Sequence, residues 1–151
     1  MVADHGSSQP GGVGLDNPVS RHIPLIIFGK PLTTAWKGKK IDLFCNHHDI
    51  PATILSMFGR SDLEDQFPWS RNLWKWNSVP NGNSHTANDQ LNHGFAYFTN
   101  ENGIGWANNQ GKGFYYFGEK AWHHWEGQLD SVSQQEAKAY LQTVYEDFLG
   151  K

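Results

Sequence analysis

The chain has 151 residues, with 12 Lys or Arg against 15 Asp or Glu and a formal net charge of −3. That length suits one domain with a real core, and with no basic patch the chain lacks the footprint of a nucleic-acid binder. Cys45 is the single cysteine, which excludes an internal disulfide, and the longest strongly apolar run, residues 23–28, is far too short to span a bilayer.

The first candidate site comes at once, in Val2-Ala3-Asp4-His5-Gly6. A carboxylate and a neutral imidazole can bind Zn²⁺ or Mn²⁺ together. Neighbours on a strand point to opposite sides, so a shared metal requires a turn, which Gly6 permits. Residues 7–21, rich in Gly, Pro, Ser and Asn, read as a loop hanging over that metal. Residues 22–29, HIPLIIFG, form an unalternating β-branched run that predicts a strand buried on both faces. His22, ahead of that run, is a candidate substrate or metal contact; the plainer reading is a hydrogen-bonded strand-end histidine. Residues 41–45 predict a second, shorter strand.

Asp49 is placed to cap a helix over 50–58, with Pro51 tolerated in its first turn and Gly59 as its stop. Ile50, Ile54, Leu55 and Phe58 are expected on its buried face. The pair His47-His48 ahead of it invites a metal reading, although neighbouring imidazoles point apart. Residues 60–92 read as irregular, and 77–92 as an exposed loop. Short aromatic runs then recur at 94–98, 103–107, 113–117 and 121–125, separated by turn residues, which predicts an antiparallel meander. His123 and His124 should alternate across its last strand, one facing solvent and one packed under aromatics. Ser133 and Glu136 suggest a capping box. Ala137, Tyr140, Leu141, Val144, Tyr145, Phe148 and Leu149 then make the stripe of a terminal helix lying on the meander.

The fold class expected is α/β, or α+β for the chain taken alone. An α/β front half over 1–76 precedes the 77–92 loop, and a four-stranded antiparallel meander packed on a C-terminal helix fills 93–151. Taken in order, Asp4-His5-Gly6, the glycine-rich loop, Ile23-Pro24-Leu25-Ile26-Ile27, Asp49-Ile50-Pro51-Ala52-Thr53-Ile54-Leu55 and the Phe67-to-Leu73 segment with its Arg71-Asn72-Leu73 carry a resemblance. The chain resembles the C-terminal part of a sulfatase catalytic domain of the alkaline phosphatase superfamily. It is most similar to the lipoteichoic acid synthase, or phosphoglycerol transferase, branch.

The resemblance implies that Asp4 and His5 are two ligands of a divalent metal in the full-length parent, Mn or Zn, with Ca or Mg as alternatives, and that this chain alone binds it weakly or not at all. It also implies that the nucleophile and the other ligands belong to an N-terminal part of the same catalytic domain, the first partner expected. Cys45 does not fall where that nucleophile would. The parent so implied is membrane-anchored with an extracytoplasmic catalytic domain; the chain as written reads as soluble and as inactive alone on sulfate or phosphate esters. His47-His48 departs from the small polar residue and Gln that the family more often carries. Two other readings stand beside this one. The aromatic sheet suits a glycan-binding module, and Trp69, Trp74 and Trp76 suit a surface for protein association, including a homo-oligomer.

Overall fold

The structure is a computed structural model that describes residues 1–7, 11–30, 32, 34, 36–40, 42–76 and 94–150. The loop expected over 77–92 lies outside the described residues. Helices accompany one four-stranded antiparallel sheet, ordered β1-β2-β3-β4 and packed against the C-terminal helix, as the aromatic and apolar patterning predicts. The chain divides into two compact units. One holds Met1 and Leu25–Phe95, the other Val2–Pro24 and Ala96–Lys151. The boundary therefore differs from the expected division at residue 76: residues 2–24 belong with the C-terminal sheet.

The sheet unit is built from β1 (Ala96–Asn100), β2 (Gly103–Ala107), β3 (Gly111–Tyr116) and β4 (Ala121–Gly127). Its first two hairpins use one device twice. Asn100 Oδ1 accepts from the backbone N–H groups of Asn102 and Gly103, and Asn108 Oδ1 accepts from those of Gln110 and Gly111. An asparagine side chain that takes the amides two and three residues ahead closes the turn locally. The register places Tyr97, Trp106, Gly113 and His124 in one row, and Phe98, Gly105, Phe114 and His123 in a row on the opposite face.

The first face lies under helix α3 (Ser131–Phe148). Tyr140 packs edge-on against Tyr97 and Trp106, and Lys138 sits over the Tyr115 ring. The second face is covered by a 3₁₀ turn, Pro18–Arg21, which contacts β1, β2 and β3. Because both faces are covered, every residue of β2 is buried. Ile104, Trp106, Phe114 and Leu129 form the centre of this core, each contributing roughly 1.5–3 kcal/mol of burial.

Helix α3 is capped by Asp130, whose carboxylate accepts from the Ser133 N–H at 2.7 Å. The expected Ser133–Glu136 capping box is corrected by this: Ser133 lies in the first turn, buried, with its hydroxyl bonded to Asn108 and Gln110. The expected apolar stripe holds for the first half of α3, where Ala137 is fully buried. It fails further on, where Tyr145, Phe148 and Leu149 are 60%, 84% and 57% exposed.

The other unit contains helix α1 (Ile50–Met57), a 3₁₀ turn at Ser61–Gln66 and the short α2 (Leu73–Trp76). Helix α1 ends in a Schellman motif: Gly59 at φ +68°, its N–H on the Ser56 carbonyl, and the Arg60 N–H on the Leu55 carbonyl. The buried face of α1 is Ala52 and Thr53, whereas Ile54 and Phe58 are 45% and 67% exposed. Apolar spacing alone turns the bulky residues inward; the small ones face in because Ser70–Leu73 lies directly on that side. Ala52 N–H donates to Ser70 Oγ, and Leu73 N–H to Thr53 Oγ1.

The strand expected over 22–29 is not formed. Ile26 and Phe28 of this segment are 48% and 73% exposed, and Ile26 exchanges backbone hydrogen bonds with Met1. A strand buried on both faces needs neighbours on both edges, and a single pair of bonds to Met1 does not provide them. In the described part of 41–45 the chain makes one parallel bridge, Phe44 to Gly94, and no strand.

Candidate functional site

Asp4 and His5 are brought together. The chain bends at both residues, and His5 Nε2 lies 3.7 Å from Asp4 Oδ2. The His5 N–H donates to Asp4 Oδ1 at 3.1 Å. His5 Nδ1 is 2.7 Å from the Gly6 carbonyl oxygen. A carbonyl only accepts, so Nδ1 carries the proton, and in the neutral ring Nε2 is the nitrogen left free as an acceptor. Two acceptor atoms at that separation suit a shared cation, since each ligand bond to zinc runs about 2.0–2.2 Å. An imidazole that donates its other nitrogen to a backbone carbonyl is also the usual arrangement of a metal-binding histidine.

The turn rests on the sheet unit. A Cβ at Gly6 would overlap the Ser20 carbonyl oxygen and press on the Arg21 Cα, so only glycine lets the chain lie this close to the 3₁₀ turn. That turn is tied internally: Asn17 Oδ1 accepts from the Val19 N–H, and the Asn17 carbonyl accepts from the Ser20 N–H and hydroxyl. Asp16 joins it to the sheet, with Oδ1 accepting from Asn100 Nδ2 at 2.6 Å and Oδ2 from the Tyr116 hydroxyl at 3.1 Å. Arg21 lies over the Phe98 ring, 5.0 Å from its centroid. The stretch expected to hang as a loop over a metal thus has a layer of its own in the fold.

Asp4 and His5 side chains are 89% and 75% exposed. His22 is exposed too; its backbone N–H closes the 3₁₀ turn on the Val19 carbonyl. Among the described residues no group of three or more His, Cys, Asp or Glu could hold a metal ion, so His22 does not join Asp4 and His5 in one. The residues present fit a metal as a pair of ligands and as no more than a pair.

The second cluster belongs to the α1 unit and has no counterpart among the sequence expectations. Asp49 is expected only as a helix cap, but its side chain makes no capping bond to α1. It is fully buried, and accepts from the Asn46 and Arg71 N–H groups at 2.8 and 2.9 Å. The Arg71 guanidinium reaches both of its oxygens, Nε at 2.9 Å and an Nη at 2.5 Å. That guanidinium also covers the Phe95 ring at 4.0 Å and donates to the Phe95 carbonyl. The local sequence holds one signal, the Arg71-Asn72-Leu73 run quoted for the resemblance. Each of the three is tied in: Asn72 Nδ2 donates to Glu64, and the Leu73 N–H to Thr53.

His48 lies at the edge of this cluster, its Nε2 3.6 Å from Asp49. Burial pulls its pKa down against the opposing pull of Asp49. Burial likewise pushes the half-buried Cys45 thiol up, and the Asp49 charge adds to that, so it is not an activated thiolate. The chemistry of this cluster is structural: both Asp49 oxygens are taken up by N–H donors of Asn46 and Arg71.

Of the remaining candidates, His123 and His124 are both exposed on β4, so the expectation that one of them packs beneath aromatics is corrected. His123 bonds Glu119 at 2.7 Å and lies edge-on to Tyr116, while His124 stacks on Trp122 from the other face. The Trp74 indole donates to the Thr53 carbonyl and lies 4.9 Å from Trp36, inside its own unit. Tyr97, Trp106 and Tyr115 sit beneath α3 and Phe98 beneath Arg21 of the 3₁₀ turn, whereas Trp125 on β4 is 39% exposed and Phe117, just past β3, 45%. No described helix is long and apolar enough to cross a membrane. Comparison with family models, with curated proteins and with solved structures returns no match to the chain.

Proposed function

We propose that Asp4 and His5 are two ligands of a divalent-metal site in an enzyme of the sulfatase or phosphoglycerol transferase type, acting on sulfate or phosphate esters. The observation that carries this reading is the Asp4–His5 turn, with the Nδ1 proton engaged by the Gly6 carbonyl and Nε2 lying 3.7 Å from an Asp4 carboxylate oxygen. The resemblance quoted above supports it, and so does the mutual bonding of the two segments that carry part of that resemblance, 49–53 and 71–73.

When bound, a metal of this class polarises an ester oxygen and lowers the pKa of a coordinated hydroxyl. The chain's own residues supply and orient the ligand pair. Asp4 supplies negative charge, His5 a neutral nitrogen, and the Gly6 carbonyl fixes which nitrogen is free. Gly6 itself allows the turn to sit on the Ser20 carbonyl. In this reading the remaining ligands and the nucleophile come from an N-terminal part of the catalytic domain.

The test is calorimetric titration with Mn²⁺ and with Zn²⁺ on the chain and on an Asp4→Ala, His5→Ala variant. The reading predicts one saturable site that the double variant loses. Identical isotherms from the two proteins would remove Asp4 and His5 as ligands. The metal-loaded chain alone is expected to leave a nitrophenyl phosphate and a nitrophenyl sulfate unhydrolysed; turnover abolished by the double variant would show a complete site instead.

A further inference from the structure

Helix α3 carries more apolar surface than the sheet covers. Leu141, Tyr145 and Phe148 follow one another at spacings of four and three, the seam of a helix that packs on a second helix. Tyr145, Phe148 and Leu149 are nonetheless exposed. Beside them the helix and the sheet leave a groove of about 370 Å³, lined by Ile104, Tyr115, Phe117, Leu141 and Tyr145 and bordered by Lys138 and Gln142. One patch thus holds both a hole and a knob, the knob being Phe148 at 84% exposure.

The charges on this side of α3 identify what fits it. Lys138, Gln142 and Glu146 form a row at i, i+4 spacing, all three exposed. Lys138 sits 3.9 Å over the Tyr115 ring and meets no carboxylate among the described residues. Glu146 meets no cation there and accepts from Gln142 Nε2 at 2.9 Å. Cation, amide and anion in one direction are the complement of the same row read in the other. A second α3 laid antiparallel across Gln142 therefore brings Lys138 of each helix level with Glu146 of the other, since each lies four residues, about 6 Å, from the crossing. The same placement sets Phe148 of each helix level with Glu136 of the other. A helical side chain leans toward its own N-terminus, so Phe148 reaches toward the Lys138 and Leu141 end of the facing groove.

We propose that this chain forms a two-fold dimer through the outer side of α3, with the two helices antiparallel and crossing at Gln142. An isologous interface uses one patch twice, so the patch must complement itself. The Lys138–Gln142–Glu146 row does so in charge, and the groove with Phe148 does so in shape. The inference is independent of the metal reading, because Gly6 of that turn rests on the 3₁₀ layer covering the opposite face of the sheet.

The experiment is sedimentation equilibrium of the full chain across the micromolar range, with native mass spectrometry of mixtures. The wild type is expected to dimerise. Lys138→Glu and Glu146→Lys each set two like-charged pairs across the axis, and each should weaken the dimer about tenfold. Mixed in equal amounts, the two variants complement each other, one bringing two carboxylates and the other two ammonium groups. A mixed dimer should then form with wild-type affinity, identified by its mass when one variant is ¹⁵N-labelled. Phe148→Ser, at a position with little burial to lose, should give monomer with an unchanged urea midpoint. A wild type that stays monomeric throughout would overturn the inference. So would a dimer that survives both charge exchanges or Phe148→Ser, which places association on another surface, and so would charge variants whose mixture stays monomeric.

Discussion

Asp49 is a carboxylate with no exposed surface, and its charge is held by two backbone N–H groups and one guanidinium. A buried pair of this kind adds little over a well-packed apolar pair, but removing one partner strands the other without water. Arg71→Met is therefore expected to destabilise the chain by about 3–5 kcal/mol, read as a lower urea midpoint at constant slope. A second residue-scale case is Gly105, over which the Phe98 ring lies so closely that a Cβ would overlap three of its carbons. Gly105→Ala forces that ring off its place between β2 and the Arg21 guanidinium, and a loss of about 1–3 kcal/mol in the same assay is expected. Neither residue announces this in the sequence. Asp49 reads locally as a cap, and its partner comes 22 positions later.

At the scale of elements, local chemistry is legible wherever it is self-sufficient. The meander can be read because each of its first two hairpins carries its own turn residues, and the Asn100 and Asn108 side chains close their turns without help from the rest of the fold. The stop at Gly59 can be read for the same reason. The buried face of α1 cannot, because Thr53 faces inward to bond the 71–73 segment, a partner the helix does not encode. The 22–29 run misleads because apolar content sets burial only when neighbouring strands exist. Of the candidate site, Asp4 and His5 are legible from residue type, and their approach from Gly6; the Asp16 anchor is not, since its partners lie 84 and 100 positions away.

His48 supplies an element-scale prediction. Burial depresses its folded-state pKa, so the unfolded chain binds this proton more readily. Its contribution is complete above the unfolded value of about 6.5 and fades as pH falls through the lower folded value. His48→Gln is expected to flatten the loss of stability between about pH 6.5 and 5, seen in urea midpoints taken across that range.

The sheet unit is organised as a small sheet covered on one face by α3 and on the other by the turn that follows Asp4-His5-Gly6. At the scale of the whole molecule, the anchor that secures this second layer makes stability depend on pH, because it contains a titratable group. Burial pushes the Tyr116 pKa up, and so do the hydrogen bond to Asp16 and the charges of Asp16 and Glu119. A raised pKa means that the folded state keeps this proton longer than the unfolded one. Stability from the anchor is therefore full below about pH 10 and declines as pH rises through the folded value. Tyr116→Phe should be less stable than wild type at neutral pH and should lose less on going above about pH 10.

A metal function for this molecule requires Asp4 and His5 to act as one ligand pair. Titrating Zn²⁺ into the chain with ¹⁵N-labelled histidine tests this most directly, because each of the eight histidines reports separately. A shared site predicts that the His5 Nε2 resonance moves saturably at one equivalent while His22, His47, His48, His123 and His124 stay in place, and that Asp4→Ala abolishes the change. A His5 resonance that never moves, or a first equivalent taken up by another histidine, would contradict it.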